Sequence, residues 1–441
     1  MTQMTTPRLR RTPPTEGNLP QLRFPEFKDL GVWEIFSIAD LCECGLANGV
    51  FNDPKKVGKG YKLINVIDMY IETSIQEGSL TLLELSETEF TKNKVNYGDI
   101  FFTRSSLVKS GIAYSNIYLG CSNDVTYDGH LIRFRVDQKK INSLFANYIL
   151  RTNNVREQLV ARGKSATMTT IGQADVASVN LCIPLILPEQ QKIAACLSSL
   201  DDLITAENQQ LEALKTHKKG LMQSLFPAEG ETVPKFRFPE FKDAGEWEEK
   251  PFKEIAKFLS GGTPSKDVPE YWEGTIPWIS ASSMHSTKIE KSDSNITFLA
   301  VSDGARMVDK GTLLLLVRGS MLHKRIPIGI TETTVSFNQD VKAIVLKGDV
   351  SERYLMSFLI ASESKLLAAV TATGIGAGKL DTNDLNDLLI KFPSRPEQQK
   401  IAACLSSLDD LISAQSQKIE ALKQHKKGLM QQLFPNANLK T

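Results

Sequence analysis

Apolar residues recur at alternating steps of four and three from Pro188 to Pro227, and again from Pro396 to Pro435. In the first stretch Ile193, Leu197, Leu200, Ile204, Leu211, Leu214 and Leu221 share one seam; in the second Ile401, Leu405, Leu408, Ile412, Ile419, Leu422 and Leu429 do. A seam of this period is the mark of a helix that pairs with another helix. The two stretches differ at only seven of 40 positions. Pro188 and Pro396 stand where a helix can spare an N–H, and Glu189 and Glu397 suit the positive end of its dipole. At 1.5 Å per residue each helix is on the order of 55 Å long. Matching seams predict that the two pair with each other. Antiparallel pairing is favoured, because a compact domain then closes the gap from the end of one to the start of the other. Glu207, Gln415, Lys218 and Lys426 interrupt the seams; they either fix register or face water or a partner. Gly220 and Gly428 lie in the last turns, where glycine costs about 1 kcal/mol relative to alanine. A fraying end or the close approach of another chain would account for them.

The segments before each helix have a different rhythm. "LRFPEFKDLGVWE" from Leu22 and "FRFPEFKDAGEWE" from Phe236 each introduce a divergent stretch that runs into a repeat helix. Within it, "VNYGDIFFTRSS" from Val95 parallels "VDKGTLLLLVRGS" from Val308: a glycine turn, a buried strand, then Arg and small polar residues. Further strands ("LIRFRVD", "VKAIVLKGD") and helices ("SLFANYILRTNN", "ERYLMSFLIAS") follow. The predicted class is α+β, with two mixed α/β heads in pseudo-two-fold arrangement, separated by two long antiparallel coiled-coil helices. Its parts are a flexible tail (1–18), head one (19–187), the first helix (188–227), a linker with head two (228–395), the second helix (396–435) and a C-terminal tail (436–441).

Composition narrows the picture. No run of about 18 apolar residues suits a bilayer, and the N-terminus lacks the apolar core of a signal peptide. The six cysteines have no metal-ligand spacing and read as reduced thiols of a cytoplasmic protein. The net charge of +1 hides a split: residues 92–164 hold twelve Lys/Arg against five Asp/Glu, and 36–91 hold four against nine. Enzyme signatures fail. "GIGAGKL" from Gly374 is one residue short of a phosphate loop, and Leu380 stands where Ser or Thr would hold magnesium. No metal site is expected in this chain, and no catalytic residue is assigned.

The candidates for binding follow the buried strands: Arg104, Ser105, Ser106 and Lys109 in head one, and Arg318, Ser320, His323, Lys324 and Arg325 in head two. Arg can take guanine in a bidentate way, Ser reads edges or phosphates, and Lys neutralises phosphate. "ARGKSATMTT" from Ala161 and "TATGIGAGK" from Thr371 add Arg162, Lys164, Thr169, Thr373 and Lys379 as loops able to hold phosphate.

Head–helix–head–helix order, "RFPEF…WE" before each head, "GTPS…YWEGTIPWI" from Gly262, "FNQD" at Phe337 and "PEQQKIA" opening each helix resemble the specificity subunit of type I restriction–modification enzymes. The resemblance implies heads that each read one half of a bipartite DNA target. It also implies a helix pair that sets the spacing and docks two modification (methyltransferase) subunits. S-adenosylmethionine, ATP and magnesium would then belong to the modification and restriction subunits, and adenine-N6 methylation or cleavage to those partners. Head one departs from the family pattern, with "CGLANGVFNDPKKVGKGY" in place of "GGTPS…YW" and "TYDGH" in place of "SFNQD". The rival expectation is a two-headed protein-binding scaffold that does not read DNA.

Overall fold

The computed structural model describes residues 18–373 and 376–436. The expected tails therefore lie outside the described residues, apart from Asn18 and Asn436, as do Gly374 and Ile375 of the phosphate-loop match. Asn18 is not tail-like: it is buried, and its carbonyl accepts the Trp33 N–H at 3.2 Å.

Both repeats form helices of 39 residues, Leu187–Leu225 and Arg395–Leu433. Contacts divide the chain into two compact units, residues 1–208 with 417–441, and residues 209–416. Each unit thus holds one head, the first half of the helix that follows that head, and the second half of the other helix.

In the first unit Asp201 pairs with Lys426, and Glu207 with Lys418 at 2.6 Å. Partner numbers fall as residue numbers rise, so these helix segments run antiparallel. In the second unit Lys218 pairs with Asp409 at 2.5 Å, the counterpart of the Asp201–Lys426 contact. Three of the interrupting seam residues, Glu207, Lys218 and Lys426, therefore act as charged rungs. Glu207 is itself largely buried, while Lys418 is more than half exposed. Of the seam, Ile193, Leu197, Ile204, Leu211, Ile401, Leu405 and Ile419 are buried; Leu200, Leu214, Leu221, Leu408, Ile412, Leu422 and Leu429 are half-buried.

Each head continues its helix core. In the first unit Ile193 and Leu197 join Trp33, Phe102, Phe134 and Phe145, sealed by Leu433 and Phe434 of the second helix. In the second unit Ile401 and Leu405 join Trp247, Phe337 and Tyr354, sealed by Leu225 and Phe226. The "LFP" stop is thus a plug: Phe434 lies 5.4 Å from Phe145, and Phe226 lies 5.8 Å from Tyr354, ring centre to ring centre.

The heads share a sheet plan. In head one the strand order is Ala47–Asn48, Leu131–Phe134, Ile100–Thr103, Ser115–Ile117, all antiparallel. Head two repeats it with Ala256–Ser260, Val341–Leu346, Leu313–Leu316 and Ile328–Thr331. The central strands are buried along their whole length, which is why "IFFT" and "LLLL" read as continuous apolar runs. The strand after each "RFPEF" motif pairs with the strand just before a long helix, Glu34–Ser37 with Asn180–Ile183 and Glu248–Pro251 with Leu389–Phe392.

The motif arginines explain its recurrence. Arg23 grips Glu189 through two hydrogen bonds of 2.7 and 2.8 Å, and Trp33 Nε1 donates to the same carboxylate at 3.1 Å. Arg237 grips Glu397 in the same way, at 2.8 and 2.7 Å. Both carboxylates are buried, so their role exceeds the dipole complement read from the sequence. Backbone bonds complete the clamp: the Phe236 N–H donates to Ser224 O, and the Leu22 N–H to Gln432 O, both at 2.9 Å.

Gly220 and Gly428 have open space where a Cβ would stand, and neither has the positive φ that favours glycine. Gly220→Ala and Gly428→Ala are each expected to stabilise the chain by about 0.5–1 kcal/mol. Thermal unfolding of the variants checks this; a lowered midpoint would mean that the open space is used by a neighbouring segment.

Candidate nucleic-acid interface

In head one the buried strand ends at Thr103, and Arg104 is the hinge that follows. Its N–H donates to His130 O at 2.9 Å, and its carbonyl accepts the Ile171 N–H at 3.0 Å. Ser105 and Ser106 then pair with Thr170 and Thr169, which pair in turn with Lys164 and Ser165. Two segments far apart in the chain thus become one three-stranded sheet. Head two builds the same sheet: Arg318–Gly319 pairs with Gly378–Lys379, which pairs with Thr371–Ala372.

The register corrects one expectation. In head two it is Val317 whose N–H donates to Asp340 O (2.8 Å) and whose carbonyl accepts from Leu380 (2.9 Å). Val317, which is buried, therefore holds the place of the exposed Arg104, and Arg318 holds that of Ser105. The two arginines are not equivalent, although the text around them aligns. Both are exposed, and among the described residues neither is ion-paired with a carboxylate.

The other candidates separate into two groups. Lys109, Ser320 and Lys324 are exposed beside these sheets. Lys164 reaches Asp175 at 3.3 Å, and Lys379 reaches Asp381 at 2.8 Å. The Lys379 ammonium and the Asn383 N–H hold the Asp381 carboxyl below the usual carboxylate range. His323 Nε2 lies 3.0 Å from Gly376 O, and Thr373 Oγ1 donates to Ala377 O at 2.9 Å, so both shape the loop. Thr169 is buried, with its hydroxyl 3.1 Å from that of Ser165. Arg162 turns back onto its own head, bonding Ser178 Oγ and Gln158 O, and Arg325 bonds Met284 O at 2.8 Å. These two guanidinium groups serve the fold.

Two further features of this face are not legible in the sequence. His130, from "TYDGH", is exposed with Nδ1 2.8 Å from the buried Asp128 carboxylate, next to Arg104. Its only signal was that "TYDGH" stands where head two has "SFNQD". Leu107, Val108 and Met168 were passed over because apolar residues give no charge signal.

The family model for the type I restriction modification DNA specificity domain matches residues 31–216 and 244–424. The chain is 34% identical over 176 residues to a type I restriction enzyme specificity subunit of Escherichia coli, covering 40% of this chain and 43% of that one. It is 34% identical over 201 residues to another, from Methanocaldococcus jannaschii, covering 43% and 45%. Each of these alignments spans less than half the length of the relative. A putative specificity subunit from the same archaeon aligns over 91% of this chain and 92% of its own, at 24% identity. Among solved structures, the S subunit of the M. genitalium type I restriction–modification system matches with a TM-score of 0.59 at 15% identity, covering 95% of this chain and all of that one. At that identity the likeness is one of fold.

Proposed function

Because the chain belongs to the type I restriction–modification DNA specificity family, we propose that it is the subunit that chooses where partner subunits methylate or cut DNA. Each head reads one half of a bipartite target, and the helix segments set the distance between halves. The near-identical helices offer one kind of docking surface twice, to two modification subunits, with restriction subunits joining in the full complex. S-adenosylmethionine, ATP and magnesium are assigned to those partners, and this chain is assigned no chemistry of its own. The observation that carries the reading is that an exposed Arg and an exposed Lys stand in or directly beside one three-stranded sheet in each head, Arg104 with Lys164 and Arg318 with Lys379. Ser105 and Ser106 are half-buried in the first sheet, and Ser320 is exposed just after the second. A surface of that composition binds phosphates and base edges together.

The test is sequence-dependent binding by the chain assembled with its modification subunits, with the target defined by mapping methylated adenines in cells that carry the set. Exchanging residues 36–187 for another head is expected to change one half-site and leave the second half-site and the spacing rule as they were. A change in both half-sites would overturn the modular reading, and absence of any sequence preference would overturn DNA recognition itself.

A further inference from the structure

The sheet of head one ends in an apolar tip. Ser106 pairs with Thr169, so Leu107 and Met168 are the positions that leave the last rung on the two strands. Leu107 is 84% exposed, Val108 61% and Met168 40%. The tip is held firmly. Arg156 donates to the carbonyls of Ser110, Ile112 and Ala113 at 3.0, 2.7 and 2.5 Å, fixing the loop that carries Leu107 and Val108. Burial pushes that guanidinium below its usual range, as expected of a group committed to the interior. Ala113 sits within the clamp in the left-handed region, at φ 50°. A rigid loop thus holds two large apolar side chains out in water.

Head two places different residues there. With Gly319 and Gly378 matching Ser106 and Thr169, the tip positions fall to Ser320, Met321 and Ala377. Met321 packs against the core of head two and Ser320 is polar, so an exposed tip of three large apolar side chains belongs to head one, as a determinant of one half-site would. Exposed Lys109 follows the tip in the chain, and exposed Arg104 and Lys164 stand at the other end of the same two-rung sheet, which favours a polyanion as occupant over an apolar protein surface.

We infer that Leu107, Val108 and Met168 pack against the 5-methyl group of thymine in the major groove of the half-site that head one reads. The inference rests on the DNA-reading function proposed above. An apolar contact is how a protein distinguishes thymine by its methyl group, which offers nothing to a hydrogen bond.

The experiment uses the full chain assembled with its modification subunits and target duplexes in which each thymine is replaced in turn by deoxyuridine, which lacks only the methyl. One or two replacements in the head-one half-site are expected to weaken wild-type binding about three- to tenfold. Leu107→Ser and Met168→Ser should bind the intact target that much more weakly and be indifferent to the same replacements. Replacements in the other half-site should affect wild type and variants alike. Leu107→Asn and Met168→Gln, close in volume to the residues they replace but polar at the tip, repeat the test if a serine variant misfolds. A head-one half-site without thymine, equal deoxyuridine responses in wild type and variants, or loss of modification-subunit assembly as the main effect would each overturn the inference. Those results leave sequence preference intact; a chain with no preference at all would overturn the proposed function as well.

Discussion

Replacing Arg237 by alanine is expected to destabilise the second unit by about 3–5 kcal/mol, the cost of leaving a buried carboxylate without its partner. Glu397 is almost fully buried, with 1% of its side chain exposed, and Arg237 is 8% exposed. Water cannot replace the lost guanidinium there. Arg237 also donates to Ala244 O and Gly245 O, so the substitution frees the linker turn as well. Three of the four tryptophans, Trp247, Trp272 and Trp278, lie in this unit, so urea unfolding followed by tryptophan fluorescence reports on it. Adding Glu397→Leu to Arg237→Ala should restore part of the loss, because the unpaired buried charge is then gone although the space left by the arginine is not refilled. If the double variant unfolds as early as the single one, the carboxylate is not the source of the instability. Arg23→Ala should leave this transition in place and weaken the first unit, where Glu189 has Trp33 Nε1 as a second donor.

The second large effect is on recognition. Arg318→Ala is expected to weaken binding of the cognate duplex by about ten- to a hundredfold and to relax preference at one base pair, the behaviour of an arginine on a base edge. Lys324→Ala should weaken all duplexes to a similar degree and lower the salt dependence by about one ion, the behaviour of a phosphate contact. Gel shifts against single-base variants of the target, repeated over a salt series, separate the two. Uniform weakening in Arg318→Ala would reassign that side chain to the backbone. Arg318 is the stronger candidate because it lies within the sheet, at the rung facing Lys379, and is exposed there.

Periodicity made the helices, their mutual fit and the two-headed order legible, since a 4-3 seam and a near-verbatim repeat need no long-range information. Sequence did not show that each unit takes half of both helices. That division depends on which aromatic plugs enter which core, and Phe226 and Phe434 look alike as text. Nor could it assign Glu189 its true role. A glutamate in a first turn reads as a dipole complement, and its partner Arg23 lies 166 residues away. Base-contact candidates were found by composition, but their geometry was hidden. Head two inserts Val317 before its arginine, so aligning the letters of "FFTRSS" and "LLLLVRGS" slips the backbone by one residue. The apolar tip was invisible because exposure, unlike hydrophobicity, is not written in a residue's name.

Two of the seven differences between the repeats meet in space. Lys418 faces Glu207; the residues holding those places in the opposite copies are Gln210 and Gln415. A first helix paired with another chain's first helix would therefore set Glu207 against Gln210, and a second helix paired with its own kind would set Lys418 against Gln415. Only unlike helices can make the ion pair. During synthesis the first helix leaves the ribosome some 200 residues before its match, often beside neighbouring copies of itself. With Lys418 more than half exposed the pair contributes at most about 1 kcal/mol, a bias toward the chain's own second helix over a stranger's first rather than a switch.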